Sequence, residues 1–184
     1  MPDDEFYISV DVETAGPHPG GYALLSIGAC TISQTPKTFY AELQPDREAF
    51  LPDALLVSGL KMEKLKERGQ PPDVAMRAFA DWVAEVTPPD HRPVFVAFNA
   101  PFDWMFVNEY FHRYLVHNPF GHSALDIKAY FMGLKGVDWS ETSMKAATEH
   151  YFGKRSLTHH ALRDALDQAE LFSKMLADDQ TKNE

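Results

Sequence analysis

The sequence predicts an α/β domain built on a mixed β-sheet. The first 43 residues hold three β-rich segments joined by short links. From residue 51 onward the apolar residues recur at helical spacing. One short apolar run, Val94 to Phe98, interrupts the helices and suits a buried strand.

In order, Phe6 to Val12 places apolar residues at 6, 8, 10 and 12, the period of a strand. The turn-rich Gly16-Pro17-His18-Pro19-Gly20-Gly21 ends it. Leu24 to Ile32 and Thr38 to Leu43 read as the next two strands, and the short links predict an antiparallel meander. Leu51 to Arg68 reads as short helical pieces. Asp73 to Val86 carries a helical stripe of Val74, Ala75, Ala78, Phe79, Trp82, Val83 and Val86, bounded by Pro71-Pro72 and Pro88-Pro89. After the strand Val94 to Phe98, a helix is expected over Phe102 to Leu115, with Val107, Tyr110, Phe111 and Tyr114 on one side. Ala124 to Met132 and Ser143 to Phe152 read as further helices. Thr158 is an N-cap candidate for a last helix reaching about Ala177, followed by a frayed polar tail, 178–184. With no repeat and no linker, residues 1–184 are expected to form a single domain with its core over about 5–177.

Composition narrows the function classes. The 184 residues are 45% hydrophobic, enough for a core and too many for a disordered chain. A single cysteine, Cys30, excludes a disulfide framework and any multi-cysteine zinc site, and fits a reducing compartment. No apolar run approaches the roughly 18–20 residues of a membrane span, and the acidic start carries no signal-peptide pattern. No membrane partner and a cytoplasmic location are therefore expected. The net charge of −10 argues at first sight against nucleic acid. The acidity is uneven, however. Residues 1–60 hold nine acids against Lys37 and Arg47, whereas residues 128–163 hold six Lys and Arg against three acids.

Four acidic residues, at three places in the chain, stand where a core is expected. Asp11 and Glu13 are two apart on an apolar strand, so both side chains share one face and repel unless a cation compensates. A strand end projecting both into water is the plainer alternative. Asp103 follows the strand Val94 to Phe98 at the start of a helix, where the helix dipole favours an acid. Asp164 lies in the last helix, five residues after His159. Converging at one sheet edge, such oxygen ligands suit Mg²⁺ or Mn²⁺, and two such ions form a clamp for in-line displacement at phosphorus. A histidine beside them is a suitable base.

Phe6-Tyr7-Ile8-Ser9-Val10-Asp11-Val12-Glu13-Thr14-Ala15-Gly16 resembles the first exonuclease motif of the DEDD (DnaQ-like) 3′→5′ exonuclease superfamily. Phe98-Asn99-Ala100-Pro101-Phe102-Asp103-Trp104 resembles the second, and Thr158-His159-His160-Ala161-Leu162-Arg163-Asp164-Ala165 the third. Together with Leu24-Leu25-Ser26-Ile27-Gly28-Ala29 they are in the family's order and span nearly the whole chain. The resemblance implies a ribonuclease-H-like fold: a mixed five-stranded sheet, an antiparallel meander of three strands plus parallel strands, flanked by helices. It implies hydrolysis of single-stranded DNA or RNA from a 3′ end, releasing nucleoside 5′-monophosphates. It makes Asp11, Glu13, Asp103 and Asp164 the ligands of two divalent ions, and the His-x4-Asp spacing of the histidine subclass makes His159 the general base. His160 stands at the His-x3-Asp spacing of the tyrosine subclass and is the competing candidate.

The same resemblance gives Thr14 a backbone contact to the terminal 3′-OH, Leu24 or Leu25 a wedge against the last base, Phe102 a stacking role and Asn99 a place near the substrate. Phe98 departs from the histidine often found before that Asn. Trp104, Tyr110 and Phe111 read as core. Several stand-alone relatives are homodimers in which one subunit supplies basic residues to the other's site, and the basic stretch 128–163 is compatible with that. The competing function classes are a catalytically inert ribonuclease-H-like binding module and a phosphoesterase acting through a phospho-aspartate. An inert relative would be free to lose one of the acids, and no Gly-x-x-x-x-Gly-Lys loop exists for a nucleoside triphosphate.

Overall fold

The computed structural model describes residues 4–153 and 160–182. Strands β1 (Glu5–Thr14), β2 (Leu24–Thr31) and β3 (Thr38–Glu42) form the expected antiparallel meander. Helices α1 (Pro52–Ser58), α2 (Met62–Arg68) and α3 (Pro72–Val86) follow, then β4 (Arg92–Ala97) and α4 (Ala100–Tyr114). A three-residue strand β5 (Ala124–Asp126) runs straight into α5 (Ile127–Lys135), and α6 (Met144–Phe152) and α7 (Ala161–Lys182) complete the described elements. The sheet order is β3-β2-β1-β4-β5, with β4 and β5 parallel to β1. This is the ribonuclease-H-like mixed sheet the motifs imply.

Pleating divides β1 between two layers. Ile8, Val10 and Val12 face α3 and α4, where Phe79, Phe95, Phe106 and Phe111 build an aromatic core. Tyr7 lies on the opposite face, edge-on to Phe172 of α7 at 5.6 Å. The odd-numbered set that contains Asp11 and Glu13 therefore looks toward α7. All eight residues of β2 are buried, so neither of its faces meets solvent.

Three expectations need correction. Ala124 to Asp126 are strand, not helix; Ala97 pairs with Asp126 in parallel register. In α3 the stripe turns by one position: Met76 is buried, while Val74 and Ala78 are exposed. The last helix continues through Lys182 instead of fraying from 178, and Asp178 accepts from Lys135 and from Tyr151 Oη. Thr158, the expected N-cap, lies outside the described residues. Among the described residues no helix is long and apolar enough to cross a membrane.

Candidate active site

The register of β1 against β4 creates the site. Their pairing ends at Ser9 with Val96, so Asp11 to Thr14 run past the end of the neighbouring strand. Backbone groups on that side of β1 lose their ladder partner and need another. Asp103 supplies one: its Oδ1 accepts the Val12 N–H at 3.0 Å. Asp103 reaches there because the chain reverses at Asn99, in the left-handed region at φ 63° and ψ 46°, and enters α4 at once. Asp126, at the end of β5, fixes that reversal. Its Oδ1 accepts from the Asn99 N–H at 2.9 Å, the Ala100 N–H at 3.2 Å and the Lys128 N–H at 3.1 Å.

Asp164 arrives from the other side. The first turn of α7 packs on the backbone of β2 at Gly28, the residue paired with Asp11. A β-carbon on Gly28 would stand 2.2 Å from the Ala161 carbonyl carbon and the Leu162 nitrogen, so only glycine admits this approach. Asp164 Oδ2 accepts the His160 N–H at 3.1 Å and thereby caps its own helix. Ligand-capable oxygens of Asp11, Glu13 and Asp164 come within 4.8 Å of one another. Asp103 is outside that set but is close enough to act on Asp11 electrostatically.

The electrostatics match the crowding. Burial, then the charges of Asp103, Glu13 and Asp164, hold the Asp11 carboxyl well above the usual carboxylate range. Burial and Asp164 push Glu13 to about 7. Burial raises Asp103 to about 8 against the lowering effect of the Val12 N–H. Among the described residues, none of Asp11, Glu13 and Asp103 has a Lys or Arg ion-pair partner. A dense set of carboxylate oxygens has the donor chemistry of a site for hard divalent ions.

Gln168 is a functional residue that the sequence reading passed over. It is 4% exposed, and its amide bridges two elements. Oε1 accepts the Phe98 N–H at 2.9 Å, so Nε2 is turned to donate to Asp11 Oδ1 at 2.7 Å. Gln168 thus fixes the Asp11 carboxylate and ties α7 to the end of β4. Its spacing from Asp164, four residues on the same helix, was the only available signal.

Beside Glu13 opens a cleft of about 320 Å³ lined by Val12, Glu13, Thr14, Asp53, Ala54, Val57 and Phe102. Thr14 and Phe102 both line this cleft, and α1 adds a wall that the motifs did not announce. Asn99 is exposed at the rim of the turn. Leu24 and Leu25 are a correction. Both are 0% exposed and packed in separate core clusters, so neither presents a side chain to a base. His160 stacks on Tyr40 of β3, centroids 4.9 Å apart, two strands from Asp11. His159 lies outside the described residues. A larger groove, about 670 Å³, lies between α7, at Arg163, Asp167 and Lys174, and the β2–β3 link at Ser33, Gln34 and Pro36, and contains none of the clustered acids.

Residues 6–176 match the family described as the 3'-5' exoribonuclease Rv2179c-like domain. The chain belongs to that family. Like other Rv2179c-like domains it is a 3′→5′ exonuclease. It is 46% identical over 170 residues to the 3'-5' DNA exonuclease Cap18 of Escherichia coli, covering 92% of this chain and 91% of that protein. It is 32% identical over 184 residues to ribonuclease T of Baumannia cicadellinicola subsp. Homalodisca coagulata, covering 93% of this chain and 84% of that one. The fold matches the nuclease domain of 3'hExo, a DEDDh family member bound to rAMP, with a TM-score of 0.80 at 14% identity over 96% of this chain and 94% of that one. It also matches E. coli exonuclease I in complex with a dT13 oligonucleotide, with a TM-score of 0.68 at 18% identity over 94% of this chain and 41% of that one.

Proposed function

We propose that this Rv2179c-like exonuclease removes nucleoside 5′-monophosphates from the 3′ end of single-stranded DNA or RNA at the Asp11, Glu13, Asp103 and Asp164 cluster. The observation that carries the reading is the convergence of Asp11, Glu13 and Asp164 oxygens within 4.8 Å, with Asp103 alongside on α4. Asp11, Glu13, Asp103 and Asp164 would hold two divalent ions, Mg²⁺ or Mn²⁺. When bound, such ions supply an activated water and stabilise the charge on the leaving oxygen. Gln168 keeps Asp11 in one rotamer, so the carboxylate need not reorganise when it binds. Thr14 and Phe102 frame the cleft that receives the terminal nucleotide, with Glu13 at its inner wall.

His159 is the proposed general base. The stacking of the His160 ring on Tyr40 supports this choice, because it holds His160 over β3, away from β1. The two nucleic acids stay together in the reading: the family description names an exoribonuclease and the 46% identical relative a DNA exonuclease. Single-stranded RNA, single-stranded DNA, an overhanging duplex and dinucleotides, each 3′-labelled, test it. Labelled mononucleotide is expected as the first product. His159→Ala should lower the rate by about 10²–10⁴-fold, the usual contribution of positioned proton transfer, and His160→Ala far less. Loss confined to His160→Ala would reverse the two roles. Internal cleavage would contradict the reading itself.

A further inference from the structure

The site described above accounts for one terminal nucleotide, and the strand attached to it has to leave the cleft across some part of the surface. We propose that Lys128 and Trp139 form the platform on which the single strand lies a few nucleotides upstream of the 3′ end. The proposal rests on the exonuclease reading and adds to it the path of the substrate.

Isolated apolar side chains on a surface are ordinary. Trp139 differs in three ways. It is 53% exposed, yet it stands on an ordered turn: Thr142 Oγ1 donates to the Trp139 carbonyl at 2.7 Å, and Glu141 Oε2 accepts the Asp138 N–H at 3.1 Å. The Lys128 ammonium lies 3.9 Å from the centroid of its ring. That charge is not spent on a carboxylate among the described residues, whereas Lys135 pairs with Asp178 and Lys145 with Glu149. An exposed aromatic ring beside an uncompensated cation is the combination that holds a base and its phosphate.

Its position follows from the sheet. The Lys128 N–H shares Asp126 Oδ1 with Asn99 and Ala100, at the edge where β4 and β5 end and where Asp103 enters. β5 is two strands from β1, about 10 Å at the usual strand spacing. About three stacked nucleotides, at about 3.4 Å each along one strand, cover that distance. The platform thus starts from α5, the helix that follows β5, on the β5 side of the acids. It also lies within the basic stretch of an otherwise acidic chain.

The test compares the full-length protein with Trp139→Leu, Trp139→Phe and Lys128→Gln on a dinucleotide and on a ten-nucleotide single strand, both 3′-labelled. Trp139→Leu should raise KM for the ten-mer at least about tenfold more than for the dinucleotide, as loss of one base–aromatic stack does. Trp139→Phe should recover most of the difference. Lys128→Gln should reduce the salt dependence of ten-mer binding by about one counterion. Equal effects on both lengths, or no effect on either, would overturn the platform while leaving the exonuclease reading intact. A fall in oligomer mass for Trp139→Leu, with the length dependence unchanged, would assign the ring to a second copy of the chain and overturn it too. If the unaltered protein released nothing from either substrate, the exonuclease reading would fail first and the platform with it.

Discussion

Replacing Asp11 by asparagine should abolish nucleotide release and, in metal-free buffer at pH 8, raise the melting temperature. Both effects come from one feature. Asp11 is buried among Asp103, Glu13 and Asp164 and has no Lys or Arg ion-pair partner among the described residues, so its ionised form is costly until a metal arrives. The substituted amide keeps the size of the side chain and an oxygen to accept from Gln168, but it has no charge to offer an ion. Losing several kcal/mol of metal-borne stabilisation corresponds to at least about three orders of magnitude in rate. The stability gain has a defined pH dependence. Unfolded carboxylates titrate near about 4, whereas Glu13 is at about 7, Asp103 at about 8 and Asp11 is raised as well. Between those limits the folded protein holds protons that the unfolded chain has released. The contribution of these three carboxyls to metal-free stability is therefore fullest at acid pH and is lost as pH rises from about 4 to about 8. The advantage of Asp11→Asn should be small at pH 5 and several degrees at pH 8, since each 1 kcal/mol shifts a domain of this size by about 2–4 °C. Parallel melting curves for the two proteins would contradict the cluster's electrostatics.

Gly28→Ala should cost at least about a hundredfold in activity, although Gly28 has no side chain to offer the site. Its new methyl would meet the Ala161 and Leu162 backbone at 2.2 Å, and backbone cannot rotate away. The first turn of α7 must move off the sheet, carrying Asp164 from Asp11 and Glu13. A displacement of about 1 Å in such a site costs about a hundredfold in rate, and overpacking costs about 1–3 kcal/mol of stability. Measured kcat should fall by at least about a hundredfold, with more metal needed for half-maximal rate. A Gly28→Ala enzyme with unaltered kcat would show that α7 does not need this contact.

Much of this was legible in the sequence, for identifiable reasons. The alternation of Ile8, Val10 and Val12 defined β1 and put Asp11 and Glu13 on one face, because a period of two needs no tertiary information. Asp103 and Asp164 followed from motif order. Ala124 to Asp126 was not legible: three residues are too short to show a period, and α5 begins at the next one. Leu24 and Leu25 misled because β2 is buried on both faces, so no residue in it reads as surface. Gly28 carried no local signal, and Gln168 only its four-residue spacing from Asp164. Their roles exist only once β1, the end of β4 and the first turns of α7 meet. The helix end at Lys182 depended on Asp178 meeting Lys135 and Tyr151, partners far away in sequence.

The central claim is that this acidic cluster works as a divalent-ion site for hydrolysis at a 3′ end. The direct measurement is the initial rate of mononucleotide release from a 3′-labelled single strand as Mn²⁺ or Mg²⁺ is titrated into protein stripped with EDTA. The expected result is no release in EDTA, recovery on adding either ion, and a steeper than first-order dependence on metal below saturation. Release that persists in EDTA, or that depends on metal equally in Asp11→Asn, would contradict it.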